Sequence, residues 1–313
     1  SVRSVAQEMA GVLPQGRPVV IAAKGLERGG EAFMSDVLAD VLPQAVPAIL
    51  SGPSFADDVG HGLPTAVTLA CARDEVCAAL VAAIGSSGFR PYRSNDLIGV
   101  QVGGAVKNVL AIACGVVIGK ALGASAHAAL VARGFAEMSR FGRALGARSE
   151  TLAGLSGLGA LVRTATSRQS RNYSFGLALG RGEDVKSLLA PGRPVTEGVW
   201  TAPAVVDRGR KLGIEMPICQ AVAAVVALAG GAPDFRRQRQ GRARVAVGRA
   251  HEARAGRRSG RQGPVLAAFG RLQQGGNRIA VERAEGENLA ARQKGRVELE
   301  RRAGAYTHLR AHE

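Results

Sequence analysis

Six lysines stand against 35 arginines in this chain, so a Lys inside an apolar run asks for a reason. Lys24 closes the run PVVIAA, Pro18 to Ala23. An amine at the end of a buried strand loses hydration, which lowers its pKa unless an anion compensates. Lys107 sits within GVQVGGAVKNVLAIACG, Gly99 to Gly115, among residues suited to a core. An amine so placed can serve as general acid or base toward a hydroxyl or carbonyl, and it can equally anchor a carboxylate or phosphate. The competing reading is a Lys that snorkels from its helix with only its stem buried. Ser170, Arg171 and Asn172, in SRQSRNYSFG, combine a planar guanidinium, neutral donors and the start of a helix, the parts of an anion site. Ordinary capping by Ser170 or Asn172 is the alternative. Gly52, Pro53, Ser54, Phe55 and Ala56 form a turn where a ligand can approach the backbone closely. The five histidines (His61, His127, His251, His308 and His312) have no metal or triad spacing, and no metal is expected.

The elements that must position these groups change in texture near residue 95. Before it, helix and strand patterns alternate: a helix over Ser1–Leu13, a strand over Pro18–Ala23 read as buried on both faces, and a helix over Glu31–Leu42. Strands follow at Pro47–Leu50 and Pro64–Ala70, then a helix at Glu75–Ile84 and a short strand at Gly88–Arg93. This alternation predicts a parallel or mixed sheet flanked by helices, with ligands beyond the strands' carboxyl ends, where Lys24 and Gly52 fall. From Asp96 onward the pattern is helical. Leu97–Ile118 is long and dotted with glycine, and Ala126–Leu145 is amphipathic, with Glu137, Arg140 and Arg143 assigned to its outer face. Further helices are predicted at Leu155–Thr164, Arg171–Leu179, Val185–Leu189, Thr196–Leu212 and Pro217–Ala229.

The chain has 313 residues, 46% hydrophobic and 4% aromatic, with a formal charge of +16. That is too apolar for a wholly disordered polypeptide and long enough for two domains. Its unbroken apolar runs fall short of the ~20 residues a membrane span needs, so none is expected. The first twenty residues carry charges where a secretory signal would be apolar. Four cysteines without CxxC or zinc spacing point to a reduced, cytoplasmic chain. The charge concentrates in Pro233–Glu313, where 19 Lys and Arg face 8 Asp and Glu. This stretch, rich in Arg, Gly, Gln and Ala, reads as a disordered basic tail over 232–313. It lacks interleaved aromatics and any nucleic-acid motif, so no specific nucleic-acid partner is expected.

Nine blocks taken together resemble the bacterial NAD(P)-dependent glycerol-3-phosphate dehydrogenases. They are AAKGLE (22–27), SGPSFA (51–56), GLPTAV (62–67), GVQVGGAVKNV (99–109), RGFAEMSRFG (133–142), AGLSGLG (153–159), QSRNYSFG (169–176), VTEG (195–198) and EMPI (215–218). They run in order from Ser1 to about Ala229. The resemblance implies an α/β then all-α architecture: a partial Rossmann-type dinucleotide-binding domain over 1–95, then a helical 6-phosphogluconate-dehydrogenase-like domain over 96–231. It implies interconversion of glycerone phosphate and sn-glycerol 3-phosphate with NADPH or NADH, for glycerophospholipid synthesis; the sequence leaves the oligomeric state open, a homodimer among the options. Lys107 matches the family's proton donor and acceptor. Lys24, Gly52, Ser54, Lys107, Ser170, Arg171 and Asn172 match substrate contacts. Lys24, Ala56, Arg171, Val195 and Glu197 match cofactor contacts. A sibling 2-hydroxyacid or 6-phosphogluconate type dehydrogenase is disfavoured by KGLE followed by GPSFA.

The chain departs from that pattern in three places. No GxGxxG occurs in it, so Ser1 reads as a start inside the dinucleotide domain and weak cofactor binding is expected. Ala160 stands where the family pattern has an Asp, and Ile118, Lys120 and His127 where it has an acid and two arginines. The tail matches nothing in the family, and its composition suggests a reading-frame slip near Gly230, which the nucleotide sequence would decide. The alternative function is a catalytically silent remnant whose basic tail binds polyanions.

Overall fold

The computed structural model describes residues 1–228. The reading of 232–313 as a disordered basic tail lies outside the described residues. The chain starts with helix α1 (Val2–Met9), strand β1 (Pro18–Ile21), helix α2 (Met34–Val41) and strand β2 (Val46–Ser51). A short helix α3 (Ala56–Gly60) leads to β3 (Thr65–Cys71), α4 (Asp74–Ile84) and β4 (Phe89–Ser94). The sheet has the order β1-β2-β3-β4. β1 and β2 are parallel, β2 and β3 antiparallel in the register Ile49 with Ala70, and β3 and β4 parallel. This is the mixed sheet expected from the alternation of elements.

Side chains alternate across β2 and β3, as the period of a strand requires. Ile49 and Ala70 pack with Val37, Leu38 and Leu42 of the α2 region on one face. Ala48, Leu69 and Cys71 pack with Cys77 of α4 on the other. The expectation that Pro18–Ala23 is buried on both faces is corrected. β1 is the edge strand, only Ile21 among its four residues is buried, and Val20 is exposed.

Helix α5 (Leu97–Gly119) is the axis of the helical part. Asp96 caps it, accepting from Gly99 N at 2.8 Å through Oδ1 and from Arg148 N at 2.8 Å through Oδ2. Gln101 ties it to α2, accepting from Ser35 N at 3.0 Å and donating to Ser35 Oγ at 2.9 Å. By length and mean hydropathy (1.8) α5 could cross a membrane, which a count of unbroken apolar runs did not register, but 89% of that window is buried inside the protein. A helix apolar all round is a core helix when other helices cover it.

The covering helices follow in order: α6 (Gly123–Ala144), α7 (Ser149–Ala153), a π-turn (Leu155–Gly159), α8 (Ala160–Ala165), α9 (Arg171–Gly180), α10 (Val185–Leu188), α11 (Glu197–Lys211) and α12 (Pro217–Leu228). The glycines of α5 let α9 approach its backbone. A Cβ on Gly115 would lie 2.7 Å from Leu177 N, and one on Gly176 would lie 2.8 Å from Ile112 C. The predicted helix over Leu155–Thr164 is a π-turn followed by α8, and α3 and α7, five residues each, carry too little periodicity to be read in advance.

Glu137 is not on the outer face of α6 as expected; it is buried, 2% exposed. Its carboxyl accepts from Ile218 N at 2.7 Å and Cys219 N at 3.2 Å, the first free N–H groups of α12 after Pro217, which has none. Burial holds this carboxyl above the usual range, opposed by those two hydrogen bonds. Glu137→Ala would leave two buried donors without partners. It is expected to lower the unfolding free energy by about 3 kcal/mol, with Glu137→Gln losing less than half of that, as read by denaturant titration.

Candidate active site

Lys107 projects from the middle of α5 and is 6% exposed. The snorkelling alternative is set aside, because its Nζ stays inside and donates to Asn108 Oδ1 at 2.9 Å and Thr164 Oγ1 at 3.0 Å. Thr164 in turn donates to Ala160 O at 2.6 Å, one turn earlier on α8. Both partners of the amine are neutral. Burial, with a further push from the charge of Lys24, lowers the Lys107 pKa to about 7. An ammonium has three N–H donors, so two are occupied by protein and one remains for a ligand.

Lys24 lies three residues beyond β1, where its Nζ donates to Gly52 O at 3.4 Å. Burial lowers its pKa as well. Asn108 Nδ2 donates to Lys24 O at 3.2 Å, so Asn108 braces both lysines. Gly52 is needed where it stands: a Cβ there would lie 2.8 Å from Val67 Cα. Among the described residues, Ser51 Oγ is the buried side-chain polar atom with no hydrogen-bond partner. It lies beside the Lys24 stem, since a Cβ on Gly104 would be 3.0 Å from Ser51 Oγ and 3.4 Å from Lys24 Cγ.

The Ser170–Arg171–Asn172 segment lies at the start of α9. Ser170 caps that helix, accepting from Tyr173 N at 3.2 Å, and Arg171 is exposed. Asn172 is buried, and its Oδ1 accepts from Gly198 N at 2.8 Å, which joins α9 to the start of α11. The capping alternative is thus seen in the structure: Ser170 caps α9, the oxygen of Asn172 serves the start of α11, and Arg171 faces outward. Glu197, the first residue of α11, lies 3.8 Å from Arg28, whose guanidinium sits 4.8 Å over the Trp200 ring. Ser54 is half-buried, while Ala56 and Val195 are exposed.

The structure thus draws Lys24, Gly52 and Lys107 into one connected cluster, with Asn172 and Glu197 joined to each other through the start of α11. It supplies no direct hydrogen bond linking Ser54, Ala56, Arg171 or Val195 to the two lysines. Sequence reasoning missed Asn108, Thr164 and Ser51. Thr164 had a usable signal, one helical turn after Ala160 on the same face. Asn108 and Ser51 had only adjacency to residues already chosen.

The sequence profile described as NAD-dependent glycerol-3-phosphate dehydrogenase C-terminus matches residues 96–231, and that of the N-terminus matches residues 1–77. The chain is 57% identical over 224 residues to the glycerol-3-phosphate dehydrogenase [NAD(P)+] of Hyphomonas neptunium, covering 72% of this chain and 67% of that one. The chain belongs to this family. A relative of the same name from Maricaulis maris is 59% identical over 220 residues, 69% of this chain and 66% of its own length. This chain therefore spans about two thirds of the length of these curated relatives. The crystal structure of glycerol-3-phosphate dehydrogenase from Coxiella burnetii superposes with a TM-score of 0.70 at 37% identity, covering 77% of this chain and 74% of that one. A Rossmann-like mixed sheet followed by a helical part is the fold of this family.

The charge of Lys24 adds to burial in lowering the Lys107 pKa, which gives the cluster a direct test. Lys24→Met removes the neighbouring charge and is expected to raise the Lys107 midpoint. Thr164→Val removes an acceptor of the ammonium and is expected to lower it. Side-chain NMR of the labelled lysines reads both shifts.

Proposed function

We propose that this chain carries the active site of an NAD(P)-dependent glycerol-3-phosphate dehydrogenase, interconverting glycerone phosphate and sn-glycerol 3-phosphate. The observation that carries the reading is the Lys107 amine, buried between α5 and α8, held by two neutral oxygens and brought to about 7. A group with that pKa can both give and take a proton near neutral pH. In reduction, the free N–H of Lys107 passes its proton to the oxygen at C2 of glycerone phosphate as the carbonyl becomes an alcohol. In the reverse direction the neutral amine takes that proton back. The Lys24 cation polarises the carbonyl, and its positive charge also favours the neutral form of Lys107.

Ser54 and the Ser170–Arg171–Asn172 segment are assigned to the phosphate end, where donors and a guanidinium suit a dianion. Ser51 Oγ, free and buried beside Lys24, fits the polar edge of a nicotinamide. Ala56, Arg171, Val195 and Glu197 are assigned to the rest of NADPH or NADH, which supplies a hydride when bound. The proposal divides the chain into part of a dinucleotide-binding domain over 1–95 and a helical domain over 96–231 that carries Lys107, each lending residues to both ligands. A homodimer in a reducing cytoplasm completes it, the compartment supported by four free, buried cysteines.

One feature of this chain bears on how well it works. Ala160 places a methyl group one turn before Thr164, where a carboxylate could accept from the substrate hydroxyl or hold Lys107. The test is NADPH oxidation with glycerone phosphate, for residues 1–313 alone and for the same residues preceded by a Gly-rich dinucleotide-binding segment. Lys107→Ala is expected to lower kcat about 10³-fold in whichever form is active. Ala160→Asp is expected to raise the Lys107 midpoint, because a carboxylate close to the amine favours its charged form, and so to move upward the pH at which reduction declines. Silence in both forms and in Ala160→Asp would overturn the proposal in favour of a catalytically silent chain.

A further inference from the structure

Two of the segments assigned to the substrate, the turn after β2 and the start of α9, are more than a hundred residues apart, yet one side chain holds both. Arg163 lies on α8, next to Thr164. Its Nη2 donates to Asp58 Oδ2 at 2.9 Å and to Gln169 Oε1 at 2.6 Å. Its guanidinium carbon sits 4.0 Å from the centroid of the Phe55 ring. Phe55 stands between Ser54 and Ala56, and Gln169 immediately precedes Ser170.

A guanidinium can stack on an aromatic face and donate in its own plane at the same time, which an ammonium cannot. Arg163 uses both capacities, the stack on the turn and the in-plane bonds on α3 and the α8–α9 connection. With side chains 29% and 26% exposed, the Arg163–Asp58 pair by itself adds little stability. What the arrangement fixes is a distance. Successive residues of a helix point about 100° apart, so Arg163 faces these segments while Thr164 faces Lys107.

We propose that Arg163 is a positioning residue that sets the spacing between the Ser54 turn and the Ser170–Arg171–Asn172 segment, and through it the affinity for the phosphorylated substrate. The proposal rests on the function proposed above for its choice of ligand. The proton step at Lys107 is untouched by it. Misplacing a binding segment by a fraction of an ångström weakens binding without changing the group that moves the proton.

The test compares the full chain with Arg163→Leu, Arg163→Lys and Asp58→Asn in two measurements. In steady-state kinetics, Arg163→Leu is expected to raise KM for glycerone phosphate about tenfold with kcat within about twofold. Arg163→Lys, which keeps the charge and loses the stack, should recover part of that rise. Combining Arg163→Leu with Asp58→Asn should add nothing to Arg163→Leu alone. In amide hydrogen exchange, Arg163→Leu should speed exchange at both 54–58 and 168–172, and nowhere on α5. A KM that does not move, a fall in kcat at constant KM, or faster exchange in only one of the two segments would overturn the proposal. If neither the chain nor its form extended ahead of Ser1 turns over substrate, and Ala160→Asp is silent too, the function proposed above fails, while the exchange measurement still decides whether Arg163 couples the two segments.

Discussion

The site depends on keeping one amine dry. Lys107 stands on a helix buried along most of its length, with Asn108 and Thr164 as its partners and the charge of Lys24 nearby. Among the described residues no carboxylate bonds to it to hold the charged form. Isolated burial of an ammonium is costly, and the amine answers by titrating near neutrality. Every other feature of the site follows from where that helix can run. Asp96 starts it and Gln101 locks it to α2. The glycine pair at 115 and 176 allows α9 to lie close enough to bring Ser170, Arg171 and Asn172 toward it.

The sheet does for Lys24 what α5 does for Lys107. The parallel pairing of β1 with β2 sets their carboxyl ends side by side, and the two segments that leave those ends meet where Lys24 Nζ reaches Gly52 O. Asn108 then bonds the Lys24 backbone, joining sheet and helix by a single amide. That joint makes Asn108 a natural relay between the two cations: its carbonyl serves one lysine and its amino group the segment that carries the other.

Much of this was legible in the residues. The strand and helix order, the change of texture at Asp96, and the exceptional standing of Lys24 and Lys107 follow from periodicity and from the scarcity of lysine. What was not legible depends on tertiary approach. Glu137 reads as a surface residue of an amphipathic helix until α12 arrives with two unpartnered N–H groups. Val20 reads as a core strand residue until β1 proves to be at the edge. Thr164 and Arg163 are adjacent and locally unremarked, and only the path of the chain around α8 gives one to the amine and the other to two distant segments. Family resemblance named Lys107, but its neutral surroundings, with Ala160 one turn before Thr164, belong to this chain.

The most direct test of the account is the pH dependence of kcat/KM in both directions between pH 6.5 and 9, a range in which the substrate phosphate is largely dianionic. If Lys107 moves the proton, reduction needs its charged form and should decline as pH rises through about 7. Oxidation needs the neutral form and should climb through the same midpoint to a plateau. Opposite limbs sharing one midpoint near 7 are the predicted result. Profiles that are flat across this range, or that run the same way in both directions, would contradict the assignment of the proton to Lys107.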